Sequence, residues 1–256
     1  MIEIRQFPAR DDNYGVLVHD TASGATASID APEEDAILDA LEETGWRLSD
    51  VLVTHHHYDH IEAVKALKER FGVRVVASAW DAERGRVPLV DRAVADGDHV
   101  FLGPARIDVI AVPGHTLGHV AYHIPAAHAL FAGDTLFSLG CGRLFEGTAG
   151  EMWASLKKLR GLPGETMVYC GHEYTQSNAR FALTIETDNS VLKRRAKEID
   201  GLRDEGLPTV PTRLSDEIAT NPFLRADVTA VKAALGMLEA SDEAVFAEIR
   251  ERKNRF

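Results

Sequence analysis

The sequence has little of what would tie a chain together covalently or sink it into lipid. Only two of its 256 residues are cysteine, Cys141 and Cys170; that is too few for a disulfide framework, and both read as reduced thiols in a cytoplasmic setting. No run approaches the ~20 consecutive apolar residues that span a bilayer. Residues 1–10 carry no apolar segment behind a basic one and no small-residue cleavage site, so they do not read as a secretory leader. Positive charge is also scarce: 28 Lys and Arg against 40 Asp and Glu leave a net charge of −12, which argues against a non-specific grip on nucleic acid. The expectation is a protein with no membrane or nucleic-acid partner, and a monomer is the simplest form. An anionic small molecule would have to be met by a local cluster of Arg and Lys. What is present is ordinary soluble composition, 45% hydrophobic and 27% charged, enough for one large domain or a main domain with an appendage.

Apolar, β-branched runs at 2–7, 14–19, 26–29, 48–53, 74–77, 107–112, 120–124, 130–132 and 166–169 predict strands. A helix is expected from Pro32 to about Gly45 and another over 61–71 ahead of Gly72, while Thr148 and Glu151 form a capping box for a third. Strands interspersed with helices imply two sheets or one large mixed sheet, an α/β class. After about Gly171 the strand signal ends, and 175–185, 190–205, 227–238 and 242–253 read as helices separated by Gly and Pro. The division falls at 1–171 and 172–256.

Residues 54–60 read THHHYDH directly behind the strand at 48–53. In extended chain the period of two puts His55 and His57 on one side and His56 on the other, and Asp59 and His60 follow where the chain turns into a helix. Three more ligand-type residues share one context, an apolar run ending in glycine: His115 after Gly114, Asp134 after Gly133 and His172 after Gly171. Strand ends are where sites collect in sheets covered by helices. Five histidines and two aspartates exceed the needs of one tetrahedral ion, whereas two ions sharing Asp134 would use them all. Imidazole and carboxylate donors suit zinc, iron or manganese. His19, His56, His99, His123 and His128 read instead as ordinary structural histidines, and His119 of GHTLGH as a hydrogen-bonding neighbour of the ligands.

THHHYDH, GHTLGH, FAGDTLF and CGHEYT together resemble the metallo-β-lactamase superfamily. CGRLFEGTAGEM, NPFLR and the basic C-terminus are similar to its glyoxalase II, or hydroxyacylglutathione hydrolase, branch. The resemblance implies an αβ/βα sandwich followed by a smaller all-α domain, and hydrolysis of S-D-lactoylglutathione to glutathione and D-lactate by a hydroxide held between two divalent ions. It assigns His55, His57 and His115 to one ion, and Asp59, His60 and His172 to the other. Asp134 bridges them, so that Asp59 and Asp134 act through the hydroxide. It assigns glutathione contacts to Arg143, Phe145, Tyr174, Arg250 and Lys253. Three positions depart from the family pattern: Arg143 stands where Lys is common, Phe145 where Tyr is frequent, and Asn254 where Asp often sits.

The alternatives are another enzyme of the same superfamily, such as a different thioesterase or a glutathione persulfide dioxygenase, and a non-catalytic metal-binding protein. A lactamase is disfavoured by the absence of a cysteine ligand, and an RNA phosphodiesterase by the net charge. Cys141, in a glycine-rich turn with no neighbouring histidine, reads as a structural thiol. The basic tail ERKNRF fits either a substrate-binding face or a solvated helix end favourable to the helix dipole.

Overall fold

A computed structural model describes all 256 residues. The chain forms two compact units, residues 1–111 with 117–133 and residues 112–116 with 134–256.

The first unit begins β1 (Ile2–Ala9), β2 (Asn13–Asp20), β3 (Thr26–Ile29), α1 (Glu34–Thr44), β4 (Leu48–Leu52), α2 (Tyr58–Ile61), α3 (Val64–Phe71), β5 (Arg74–Ser78), α4 (Ala79–Glu83) and β6 (Arg92–Val94). Its six strands form one sheet in sequence order. β1 and β2 pair antiparallel from Ile2 opposite Asp20 to Ala9 opposite Asn13. From β3 onward the pairing is parallel, so each connection needs a crossover, and helices supply it. α1 has Glu34 and Asp35 in its first turn, where the helix dipole favours acids, and it ends at Gly45 in the left-handed conformation. Ile37, Ala40 and Leu41 of α1 pack with Phe7, Leu17, Leu48, Val51, Leu67 and Val75 in one core. β7 (His99–Leu102), β8 (Ala105–Ala111), β9 (Val120–Ile124) and β10 (Ala129–Gly133) follow as an antiparallel meander.

The second unit carries the hairpin β11 (Leu136–Phe137) and β12 (Gly140–Cys141), then α5 (Ala149–Arg160), β13 (Met167–Cys170), α6 (Thr175–Ile185), α7 (Ser190–Asp204), β14 (Thr212–Arg213), α8 (Leu214–Thr220), α9 (Thr229–Leu235) and α10 (Asp242–Arg255). β13 and β14 pair antiparallel. Ala179 and Ala182 of α6 and Leu192, Ala196 and Ile199 of α7 form a core into which Leu139 of the hairpin inserts. No helix is long and apolar enough to cross a membrane.

Two sequence expectations need correction. The helix expected over 61–71 is two helices, because the His60 carbonyl accepts from the Ala31 N–H at 2.8 Å and the Ala63 N–H donates to the Ala31 carbonyl at 3.0 Å. These tertiary bonds take the groups that a continuous helix would pair internally. The strand signal also does not end at Gly171: Thr212 and Arg213 pair with Val168 and Met167, a two-residue strand too short to show a period. The short elements β6, β7, β11, β12, α4 and α8 were likewise missed.

The capping box is present at α5: Thr148 Oγ1 accepts from the Glu151 N–H at 3.2 Å, and the Thr148 N–H donates to Glu151 Oε2 at 2.8 Å. The Thr148 bonds hold the Glu151 carboxyl below its ordinary value. Thr148→Ala is expected to cost about 1 kcal/mol of stability, read as a lower urea midpoint with an unchanged slope.

Candidate metal centre

The segment behind β4 is fixed before any ligand is considered. The Thr54 carbonyl accepts from the Val120 N–H at 2.9 Å, and the buried Tyr122 hydroxyl donates to the Val53 carbonyl at 2.9 Å. Burial, followed by the Asp30 charge, pushes the Tyr122 phenol well above its ordinary value. Asp30, immediately after β3, sits at φ 58°. Its Oδ1 accepts from the Thr54 N–H at 2.6 Å, and its Oδ2 from the Thr54 hydroxyl at 2.8 Å and from His60 Nδ1 at 2.7 Å.

Those bonds settle ring tautomers. A carboxylate only accepts, so His60 carries its proton on Nδ1 and presents the Nε2 lone pair. The Thr54 hydroxyl gives its proton to Asp30, so it accepts from His55 Nδ1 at 3.1 Å, which leaves the His55 lone pair on Nε2. That atom lies 3.1 Å from His57 Nδ1. Asn13 Nδ2 donates to Asp59 Oδ2 at 3.0 Å, and the same oxygen lies 3.5 Å from His60 Nε2.

In the second unit the His115 Nδ1–H donates to the Arg143 carbonyl at 2.9 Å, again turning an Nε2 lone pair outward. His115 Nε2 lies 3.5 Å from Asp134 Oδ2, and His172 Nε2 lies 3.3 Å from the same oxygen. One carboxylate oxygen thus faces two imidazole nitrogens delivered by different strand ends.

In the first unit His55, His57, Asp59 and His60 lie side by side, and in the second His115 and His172 both face Asp134, so each unit presents its own group of ligand-type atoms. The donor set fits divalent metal binding, because in His55, His60 and His115 the Nδ1 proton is already committed to a fixed acceptor and the Nε2 lone pair is left to serve a cation. All seven residues named from the sequence are in these groups.

The remaining histidines are placed elsewhere. His56 turns to the buried Asp81, with Nδ1 3.2 Å from Oδ1. His119 stacks on His55 with ring centroids 4.7 Å apart. It packs so closely on Gly133, at φ 48°, that a Cβ there would stand 2.7 Å from its ring. Sequence reasoning missed Asp30, which stands directly behind the strand 26–29 but lacks the preceding glycine that marked Asp134. It also missed Asp81, which no spacing marks.

Among the residues tied to the substrate, Tyr174 stacks on His172 at 4.8 Å with rings 3° from parallel, and exposed Phe145 meets His115 edge-on at 5.3 Å. Arg143 is exposed. Lys253 donates to the Ser177 carbonyl and hydroxyl at 3.3 Å. Arg250 is buried and donates through Nη1 to the Cys141 carbonyl at 2.8 Å.

Asp30→Asn tests the tautomer lock, since Asn tolerates the left-handed backbone but offers one acceptor where Asp30 uses two. Divalent-ion affinity is expected to fall ~10- to 100-fold in chelator competition with the fold retained; an unchanged affinity would reject the lock.

Residues 10–172 match the metallo-β-lactamase superfamily and residues 173–256 the hydroxyacylglutathione hydrolase C-terminus. The chain is 55% identical over 255 residues to hydroxyacylglutathione hydrolase of Mesorhizobium japonicum, covering 100% of this chain and 99% of that one. It is 54% identical to the Brucella ovis protein of the same name over 255 residues, covering 100% and 98%. Among solved structures, ETHE1 from Myxococcus xanthus superposes with a TM-score of 0.71 at 28% identity, over 98% of this chain and 91% of that one. TTHA1623 in a di-iron-bound form superposes at 0.58 with 30% identity, over 66% and 91%. With both modules matched in order and the similarity running from end to end, the chain belongs to the hydroxyacylglutathione hydrolase family of the metallo-β-lactamase superfamily.

Proposed function

We propose that the chain hydrolyses S-D-lactoylglutathione and related 2-hydroxyacylglutathione thioesters to glutathione and the 2-hydroxy acid at a two-ion centre. His55, His57 and His115 would hold one ion and Asp59, His60 and His172 the other, with Asp134 shared. The observation that carries this reading is Asp134 Oδ2, within 3.5 Å of both His115 Nε2 and His172 Nε2, the position of a shared ligand. The donors suit zinc, and iron or manganese could also be held. Divalent ions bound there supply an ionised water and polarise the thioester carbonyl.

The rest falls to the chain's own side chains. Asp59 and Asp134 would offset the charge of bound ions. The leaving thiol, with an ordinary pKa of about 8.5, needs no strong general acid. A covalent route through cysteine has no support: burial pushes Cys141 to about 11 and Cys170 to about 12, so neither offers a thiolate at neutral pH. These two buried, unpaired thiols fit a cytoplasmic setting. Residues 1–171 carry six of the seven donors, and 172–256 add His172 and most of the tripeptide face. Arg143, Lys253 and Tyr174 would meet the charged and polar ends of glutathione, Phe145 would flank it, and Arg250 would add charge from beneath. A different thioesterase, a persulfide dioxygenase and a silent metal-binding protein are not favoured, because the full-length relatives bear the hydrolase name.

Asp134→Ala is expected to lose bound metal and thioesterase activity together; two ions per chain with full turnover would reject the shared-ligand role. Lys253 supplies a pH test. Burial first, then the charges of Arg250 and Arg143, lower its pKa to about 8, so its positive charge is present below that pH and lost above it. For glutathione thioesters kcat/KM should fall as pH rises through about 8, and Lys253→Arg should remove that inflection. Lys253→Ala should raise KM for glutathione thioesters while leaving small neutral thioesters nearly unaffected. An inflection unchanged in Lys253→Arg would show that the ammonium does not meet the substrate.

A further inference from the structure

The NPFLR segment and the buried Asn178 and Glu217 of the tail are not used by the reaction described above. They converge on the hairpin β11–β12, in which Leu136 opposes Cys141 and Phe137 opposes Gly140. Every residue from Phe137 to Cys141 has a backbone group bonded by a tail side chain. Asn221 Nδ2 donates to the Phe137 carbonyl at 3.2 Å and to the Gly140 carbonyl at 3.0 Å. Asn178 Nδ2 donates to the Ser138 carbonyl at 3.0 Å. The Leu139 N–H donates to Glu217 Oε2 at 2.8 Å, and Arg250 Nη1 to the Cys141 carbonyl at 2.8 Å. Glu217 is itself held by Arg195 and by Asn221 Nδ2 at 3.0 Å. Asn221 and Glu217 are fully buried.

A two-residue turn does not need five external bonds to close. Leu139 stands at φ 56°, where a leucine is strained, and it is kept there by its side chain in the α6–α7 core and by the Glu217 carboxylate on its amide. A Cβ at Gly140 would lie 2.4 Å from Asn178 Nδ2, so the tail presses on the hairpin as closely as backbone allows.

The hairpin in turn bears on the donors. Asp134 lies two residues before β11 and Arg143 two residues after β12. The Gly142 N–H reaches the Thr135 carbonyl at 3.4 Å, and a Cβ on Gly142 would stand 2.0 Å from the Asp134 carbonyl oxygen and 2.9 Å from His115 Nδ1. The Arg143 carbonyl is the group that orients the His115 ring. Moving the hairpin therefore moves Asp134 and the acceptor of His115 together.

The geometry points to Asn221, the first residue of NPFLR, as a positioning residue that sets Asp134 and His115 through the hairpin backbone, with Glu217, Asn178 and Arg250 in the same frame. The tail is then a jig for two of the metal donors as well as a face for the tripeptide. Phe223 of the motif seats Arg250 over its ring at 5.1 Å, and Arg225 pairs with Glu186, so the motif links the hairpin to the helices around it. The inference rests on the two-ion reading proposed above.

The test compares the full-length wild-type chain with Asn221→Ala, each stripped of metal and titrated with Zn(II) against a chelator, then loaded with Co(II) for visible absorption and assayed with a glutathione thioester. The expected result is a folded variant with zinc affinity reduced ~10- to 100-fold, an altered cobalt spectrum, a lower kcat and a KM within about twofold of wild type. A folded variant with unchanged zinc affinity and cobalt spectrum would overturn the inference while leaving the two-ion reading standing. A wild-type chain that takes up no divalent ion would sink that reading, and this inference with it. If Asn221→Ala does not fold, Asn178→Ser, which removes only the bond to Ser138, is read in the same way. Failure of both variants to fold would overturn the inference, leaving the network a determinant of the fold alone.

Discussion

An imidazole can offer a lone pair to a cation on one nitrogen only if its proton is settled on the other. Around this centre that condition is met by fixed acceptors: Asp30 for His60, the Thr54 hydroxyl for His55 and the Arg143 carbonyl for His115. The first two are one device, because the Asp30 carboxylate also takes the Thr54 hydroxyl proton and thereby decides which way that oxygen serves His55. A single buried acid behind β3 thus orients two histidines, His55 behind β4 and His60 on α2. Its unusual backbone, at φ 58°, is a local strain of the kind found where structure is organised around chemistry.

The same logic explains why a helical tail follows a sheet-based module. Asp134 and His115 stand on connections with little regular structure of their own, beside a hairpin of two-residue strands. So short a ribbon is not stable by itself. Its position is supplied by Asn178, Glu217, Asn221 and Arg250, which are rigid because they are buried. The Arg195–Glu217 pair is costly to bury. Its guanidinium is satisfied by Thr212, Thr220 and Ser138 as well as by the carboxylate, and a buried ion pair so fully bonded serves specificity of arrangement better than bulk stability.

Much of this was legible in the sequence, and the physical reason is locality. Strands such as Val120–Ile124 are compact apolar, β-branched runs, helices such as Thr175–Ile185 have a period that about a dozen residues display, and the donors gather at strand ends in a context that repeats along the chain. What stayed hidden was non-local. Ala31, in a loop some thirty residues upstream, interrupts the helix after His60 by bonding to His60 and Ala63. Thr212 and Arg213 are a strand only because β13 pairs with them. Asp81 is invisible as a partner of His56, because nothing in THHHYDH says which way the middle histidine turns. Asn221 carries a motif that resemblance could recognise but spacing could not interpret, since its partners lie some eighty residues away. Arg250 was legible as a cation; its bond to the Cys141 carbonyl was not.

The charge distribution completes the argument. The chain is acidic overall, yet the charges of Arg143 and Arg250 both act on Lys253, whose ammonium is further disfavoured by burial beside the rings of Phe181 and Phe256. Cations gathered this way repel one another, and with burial that repulsion brings the ammonium down to a pKa of about 8. An anion brought among them relieves both costs, whereas a neutral ligand relieves neither. The difference between the two ligands is then larger than contacts alone would make it, because the protein has built the penalty into its unbound state. A net charge of −12 adds to that discrimination: an anion that cannot reach the cluster meets only repulsion from the rest of the surface. On the substrate-binding role proposed for these three cations, preference for an anionic thiol carrier would follow from where they are kept, whichever acyl group the carrier bears.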